Sequence, residues 1–465
     1  MFGPATLLLG LLSVIAVAYL YIDGKFINMI EEDFTNYGLN EIKIGNFRRL
    51  IAAIDRNGLL LMNDTSAARR FGSAAITEIL SNMQPNNADL NSSLVLDQFD
   101  SYEYILDAEP ECKDQWDDRQ VKNTLSMHTA KIDNDSPITI IVIVRSAVNN
   151  YAVRNAIRQS WYLNKTVDGL VSFKTVFMVG ACGEQNPPPL STLHTAWSIE
   201  ICKAAIHNES KRYGDIVQSS GVDNYYNNTL KTAMALRYVV ERCPSDFTLT
   251  IDDDFIFEVD NFMKHIVQLA SLERTFTDDA NSSLPERPPE IGSSSQSKLT
   301  DVVRDLKPNQ DVGLDYRAKQ SNRIETLKNL RSLSNQYLYN GNLQHYVFPS
   351  RQLFDKWYIS RPDYAYNRYP PFVSGGSVLM SFKTVRHFYL ASYFTRAFIF
   401  DDVYLGMLAY RLGFLPEGNK KFLCTLGEYL KANPIQANAT QCIGVHEIEP
   451  DQLIELWKHR KDVNR

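Results

Sequence analysis

From Met1 to Ile22 the chain carries no charged side chain, and Ala5 to Ile22 is almost wholly apolar. At about 1.5 Å per helical residue such a run nearly spans a bilayer core. It predicts a type II membrane anchor over residues 1–22; because Ala16-Val17-Ala18 resembles a signal-peptidase site and no Lys or Arg precedes the run, a cleaved export signal stays open as the alternative. Residues 23–136 are polar and mixed without sustained strand alternation, and read as a luminal stem with some local helices. At Pro137 the texture changes: Ile138-Thr139-Ile140-Ile141-Val142-Ile143-Val144 is the continuous β-branched run of a strand buried on both faces. A catalytic domain over 137–460 begins there.

The units that follow alternate as in a parallel α/β domain. The pattern predicts a helix across Arg154 to Tyr162, a strand across Phe173 to Val179, and a helix across Asn227 to Cys243 with Leu230, Ala233, Leu236 and Val240 on one apolar face. Phe247 to Ile251 is then a strand that runs into Asp252-Asp253-Asp254. Residues 275–334, rich in Ser, Pro and charge, read as an inserted surface loop. Beyond it lie a Pro- and Tyr-rich turn at Tyr369 to Phe372, a Gly375-Gly376 bend, and a helix opening at Asp401.

Composition narrows the class. At 465 residues, 44% hydrophobic and 22% charged, the chain can bury a large core, and a net charge of −6 without a basic block speaks against nucleic acid as a partner. Its six cysteines contain no CxxC pair, so disulfides are favoured over a zinc site; proximity in sequence pairs Cys182 with Cys202 and Cys424 with Cys442, leaving Cys112 with Cys243. Eight Asn-x-Ser/Thr sequons, together with the apolar N-terminus, point to a luminal body in the secretory pathway.

Carboxylates at the carboxyl end of a strand in an open α/β sheet sit where ligands bind. Three adjacent aspartates repel one another unless a cation lies among them, and a divalent metal with oxygen ligands that bridges a diphosphate satisfies both needs. For an isolated triplet, an acidic surface loop or helix cap is the commoner meaning. Its context decides otherwise. Arg154-Asn155-Ala156-Ile157-Arg158-Gln159-Ser160-Trp161, Tyr213-Gly214-Asp215-Ile216, and Asp223, Tyr225, Asn227 and Thr229 to Thr232 precede the triplet. Lys356-Trp357-Tyr358-Ile359-Ser360, Tyr369-Pro370-Pro371-Phe372 with Gly375, and Asp402-Val403-Tyr404-Leu405-Gly406 follow it. In this order the blocks resemble those of the β-1,3-galactosyltransferase-like family, over residues 137–460. Ser160 stands for the family's Thr, Asn228 for Leu and Asp401 for Glu.

The resemblance implies a GT-A-type nucleotide-binding sheet flanked by helices, and inverting transfer of a sugar from a UDP-sugar donor to a glycan acceptor in β-1,3 linkage. Galactose is the first expectation for the sugar, with N-acetylglucosamine and N-acetylgalactosamine as alternatives. It also implies Mn²⁺ or another divalent cation at Asp254 and His446, and a single-pass Golgi membrane protein. Asp402 matches the general base, while Asp401 suits a helix cap; their roles could be exchanged. Donor-binding candidates are Arg154, Arg158, Asp223, Lys231, Asp252, Asp253 and Gly375. Each arginine could equally form a structural ion pair with Asp215 or Asp223, and a lone histidine such as His446 is more often structural by composition alone. Trp161 reads as core. The family often has Gly-x-Gly-Tyr where this chain has Gly375-Gly376-Ser377-Val378, which leaves the sugar preference open. Two rivals of other classes are a non-catalytic glycan-binding relative, disfavoured by Asp252 to Asp254 and Asp402 together, and a hydrolase, for which the ordered blocks are a poor fit.

Overall fold

The computed structural model describes residues 44–56, 98–99, 101–108, 136–183, 199–272, 316–431 and 441–463. The expected anchor over 1–22, most of the stem, Cys112 and residues 275–315 lie outside the described residues. No described helix is long and apolar enough to cross a membrane.

The strands in chain order are β1 (Tyr104–Leu106), β2 (Ile138–Arg145), β3 (Asn164–Val167), β4 (Val171–Ala181), β5 (Ile216–Val222), β6 (Phe247–Asp252), β7 (Ile256–Phe257), β8 (Tyr339–Gln344), β9 (Phe372–Ser381), β10 (Glu417–Gly418), β11 (Cys424–Thr425) and β12 (Gly444–His446). The main sheet runs β1-β5-β4-β2-β6-β9-β8-β10, with β3 paired to the first half of β4. Its centre, β5-β4-β2-β6, is parallel, and β9 enters antiparallel against β6. A small second sheet orders β11-β12-β7.

Helices cover both faces of the main sheet, so β2 buries both of its faces, as its β-branched run requires. Ile141 and Ile143 belong to one apolar cluster, and Ile138, Ile140, Val142 and Val144 to the other. The first cluster is closed by α4 (Asn228–Glu241), α7 (Phe382–Ser392) and α8 (Asp401–Arg411), the second by α2 (Tyr151–Gln159), α5 (Val259–Ser271) and α10 (Pro450–Val463). The remaining long helices are α1 (Ile44–Arg56), α3 (Ile199–Tyr213) and α6 (Tyr316–Ser334), with a short α9 (Leu426–Lys431). Cys182–Cys202 and Cys424–Cys442 are disulfides, as sequence proximity predicted, and Cys243 is also disulfide-bonded.

Four expectations change. Helix α4 is buried almost all round from Thr229 to Leu236, not along one stripe, because it lies between the sheet and α7 and α8. The segment read as a loop over 275–334 ends in α6, whose Leu327, Leu330 and Leu333 are buried against α5 and β2; their three-residue spacing is a helical stripe hidden in a polar composition. Gly375 and Gly376 lie inside β9, not in a bend. Glycine is needed at 376 because an added Cβ would stand 2.4 Å from Cζ of Phe255. Finally, the segment 23–136 is not all tether. β1 adds to the sheet edge beside β5, and α1 packs Phe47, Leu50, Ile51 and Ile54 into the first cluster, with Asp55 paired to Arg386.

Leu50 is 1% exposed, so Leu50→Ala should cost about 2–5 kcal/mol of stability, the range for emptying a packed leucine site. Denaturant unfolding checks this; an unchanged midpoint would mean that α1 is not part of the cooperative body.

Candidate active site

The carboxyl ends of β2 and β6 open into a cleft of about 890 Å³. Parallel register sets Arg145, the last residue of β2, opposite Asp252, the last of β6, and their side chains meet at 2.7 Å. The same guanidinium bonds the carbonyl oxygen of Gly375 on β9 and the carboxylate of Asp401 at the start of α8, and lies 3.3 Å from the Thr232 hydroxyl. Burial raises Asp252 to a pKa of about 7 against the pull of Arg145.

Asp401 therefore does not cap its helix. Its carboxylate goes to Arg145 and to the Thr232 hydroxyl at 3.0 Å, and α8 has no side-chain cap bond. Asp402 is left facing the cleft beside Gly375, and among the described residues it makes no direct ion pair. It accepts from the Val403 backbone N–H at 2.7 Å and from that of Gly375. Burial, reinforced by the charge of Asp401, raises it to about 7.

Asp253 accepts from the Ser146 hydroxyl at 2.6 Å and the Asn150 amide at 3.0 Å, and burial raises its pKa. Asp223 accepts from the backbone N–H groups of Val148 and Gly180 and pairs with Lys231 at 2.8 Å, while Lys231 also donates to the Ser146 carbonyl. This buried strut lines the cleft and fixes the loop after β2.

Pairing of β7 with β12 carries His446 to Asp254, with Nε2 3.2 Å from the carboxylate; the contact raises the histidine pKa. The Cys424–Cys442 disulfide bridges the start of β11 to the residues just before β12, and the Phe255 ring packs 4.8 Å from that of His446. Among the described residues no group of three or more His, Cys, Asp or Glu side chains is set to enclose a metal. The two that meet, Asp254 and His446, would suit a divalent cation. Asp254 Oδ1 is buried with no hydrogen-bond partner, and a hard oxygen beside an imidazole suits a divalent first-row cation.

Arg154 and Arg158 are displaced from the donor-binding set. Arg154 is 1% exposed, gripped by Glu209 at 2.6 and 2.8 Å and by Ser146 and the carbonyls of Ala147 and Val148. Arg158 bonds Asp215 with both ends of its fork and shares Glu209. Neither lines the cleft, since their helix is drawn under the loop by buried carboxylates. The Asp215 pairing was one of the sequence alternatives; Glu209, four residues before Tyr213, was not anticipated. Arg145 was also missed. Its signal was a single charge closing an otherwise apolar strand, one residue beyond the run that identified β2. Trp161 is core, donating to the Phe255 carbonyl at 2.8 Å. Val378, where the family often has Tyr, is 1% exposed in the first apolar cluster and does not line the cleft.

A sequence model of the galactosyltransferase family matches residues 152–283 and 312–418, together more than half of the chain. The beta-1,3-galactosyltransferase brn of Drosophila melanogaster is 26% identical over 339 residues, covering 72% of this chain and 78% of that protein. Human beta-1,3-galactosyltransferase 5 is 24% identical, over 70% and 78% respectively. A solved galactosyltransferase LgtC complex aligns with 69% of this chain and 96% of its own at 11% identity and a TM-score of 0.28, too distant to bear on the chemistry. With residues of several ordered blocks lining one cleft, and with these matches, the chain is a glycosyltransferase and belongs to the β-1,3-galactosyltransferase-like family.

Proposed function

We propose that this enzyme transfers galactose from UDP-galactose to a hydroxyl of an acceptor glycan on a glycoprotein or glycolipid, in β-1,3 linkage and with inversion, using Asp402 as the base. The observation that carries this reading is the division of labour between the two neighbouring aspartates. Asp401 is held by Arg145 and Thr232, while Asp402 faces the cleft with a pKa of about 7, where a carboxylate can still take a proton at neutral pH. As the acceptor oxygen bonds to the anomeric carbon, its proton passes to the Asp402 carboxylate and the electron pair of the breaking C–O bond leaves on UDP. Asp254 and His446 would hold Mn²⁺ or another divalent cation, which supplies neutralisation of charge on the departing diphosphate. Asp252 and Asp253 are assigned to the donor side of the cleft, and the backbone at Gly375 leaves room for the sugar beside Asp402. The disulfides fit an oxidising lumen, and with the apolar residues 1–22 they support a type II Golgi protein.

A panel of UDP-sugars with Mn²⁺ and a set of acceptor glycans should give transfer fastest from UDP-galactose, abolished by chelator and by Asp254→Asn. Preference for UDP-N-acetylglucosamine or UDP-N-acetylgalactosamine would change the donor and leave the mechanism standing. Binding of glycan without transfer or donor hydrolysis would favour the non-catalytic relative, and full activity in chelator would remove the metal.

Asp402→Asn keeps the shape of the side chain and cannot take the proton, so kcat should fall about 10²–10⁴-fold, with UDP binding by calorimetry unchanged. An equal loss of donor affinity would make Asp402 a structural residue.

A further inference from the structure

Arg145 belongs to none of the sequence blocks that identify the family, yet its guanidinium joins more of the site than any other side chain there. It sits at the end of β2, 10% exposed, and holds Asp252 from β6, the Gly375 carbonyl from β9 and Asp401 from α8, with Thr232 of α4 at 3.3 Å. Both of its contacts toward Asp402 are indirect: Asp401 is the preceding residue, and Gly375 donates its backbone N–H to Asp402. The groups that face Asp402 are Asp401 on its own helix, Arg145 from β2, Asp252 beyond that guanidinium on β6, Tyr225 from the turn before α4, and Tyr339 from β8. Arg145 is the cation among these, set against three carboxylates; the two lysines that also line the cleft go elsewhere, Lys231 to Asp223 and Lys356 over the rings of Tyr225 and Trp357.

We propose that Arg145 is a positioning residue of the transfer reaction, one that fixes Asp402 against the cleft through Asp401 and Gly375 and leaves more of its carboxylate ionised at neutral pH than the neighbouring carboxylates alone would allow. This rests on the reading of Asp402 as the base. Removing the guanidinium leaves three carboxylates facing one another, which holds the proton on Asp402 to higher pH. Removing the Asp401 charge acts in the opposite sense, because a negative neighbour is lost while the arginine stays. A Lys at 145 restores the charge without the fork that spans Asp252, Asp401 and Gly375 together.

The test is the pH profile of kcat/KM for purified Arg145→Gln, Arg145→Lys and Asp401→Asn enzymes, each first shown by thermal unfolding to be folded. The acidic limb, which reports the base in the free enzyme, should move up by about one pH unit or more in Arg145→Gln, less in Arg145→Lys, and down in Asp401→Asn. The inference is overturned if the limb stays in place in the folded variants while activity falls evenly across pH, or if Arg145→Gln and Asp401→Asn move it the same way. Should Arg145→Gln not fold, the Lys and Asp401→Asn profiles decide alone. Asp402→Asn separates the two readings. If it is inactive and the limbs do not move, only the role of Arg145 is lost; if it is active, the base assignment itself falls.

Discussion

One guanidinium shared between two carboxylates, Asp252 and Asp401, with Asp402 left beside them, is the constraint around which the site is built. Charges withdrawn from water are costly unless paired and hydrogen-bonded, and here the pairing is supplied by register: parallel alignment of β2 and β6 brings Arg145 and Asp252 to the same level at the open edge of the sheet. Antiparallel β9 then presents a carbonyl at Gly375, and α8 begins at that edge with Asp401. Because Arg145 is already committed to Asp252 and Asp401, Asp402 keeps, among the described residues, a carboxylate with no direct cationic partner. That is the feature a base needs.

A second charge cluster stands behind the first, outside the cleft lining. Arg154, Arg158, Glu209 and Asp215 lock α2 and α3 together, and through Ser146 and the carbonyls of Ala147 and Val148 they hold the loop that also carries the Asp253 contacts. Asp223 and Lys231 fix the same loop from the other side. A cleft meant to bind a diphosphate thus has a wall braced by ion pairs that are satisfied within the protein and leave the cleft's own carboxylates exposed to ligand.

Much of this was legible in the sequence. The β-branched run of β2, the strand ending in three aspartates and the helix opening at Asp401 were read at nearly their observed bounds, because buried parallel strands and acidic first turns of helices write their signals locally. What was not legible depended on distant partners. Nothing near Arg154 announces Glu209, whose approach is set by how α3 packs, so two arginines on one helical face looked equally suited to phosphate. Helix α6 hid three leucines in a polar stretch, and α1 looked like stem because its apolar stripe stands alone in sequence and finds its partners far along the chain, in α7, Phe394 and α8. Arg145 was passed over because one charge after seven apolar-patterned residues reads as the end of a strand.

If Asp402 is the base of a single displacement, the configuration of the product tests it most directly. Starting from an α-linked UDP-sugar and a simple acceptor glycoside, proton NMR of the purified product should show a β anomeric linkage, since the acceptor oxygen attacks opposite the departing UDP. An α-linked product would contradict a single displacement with Asp402 as base, because it would require retention and a different use of the carboxylates at this edge of the sheet.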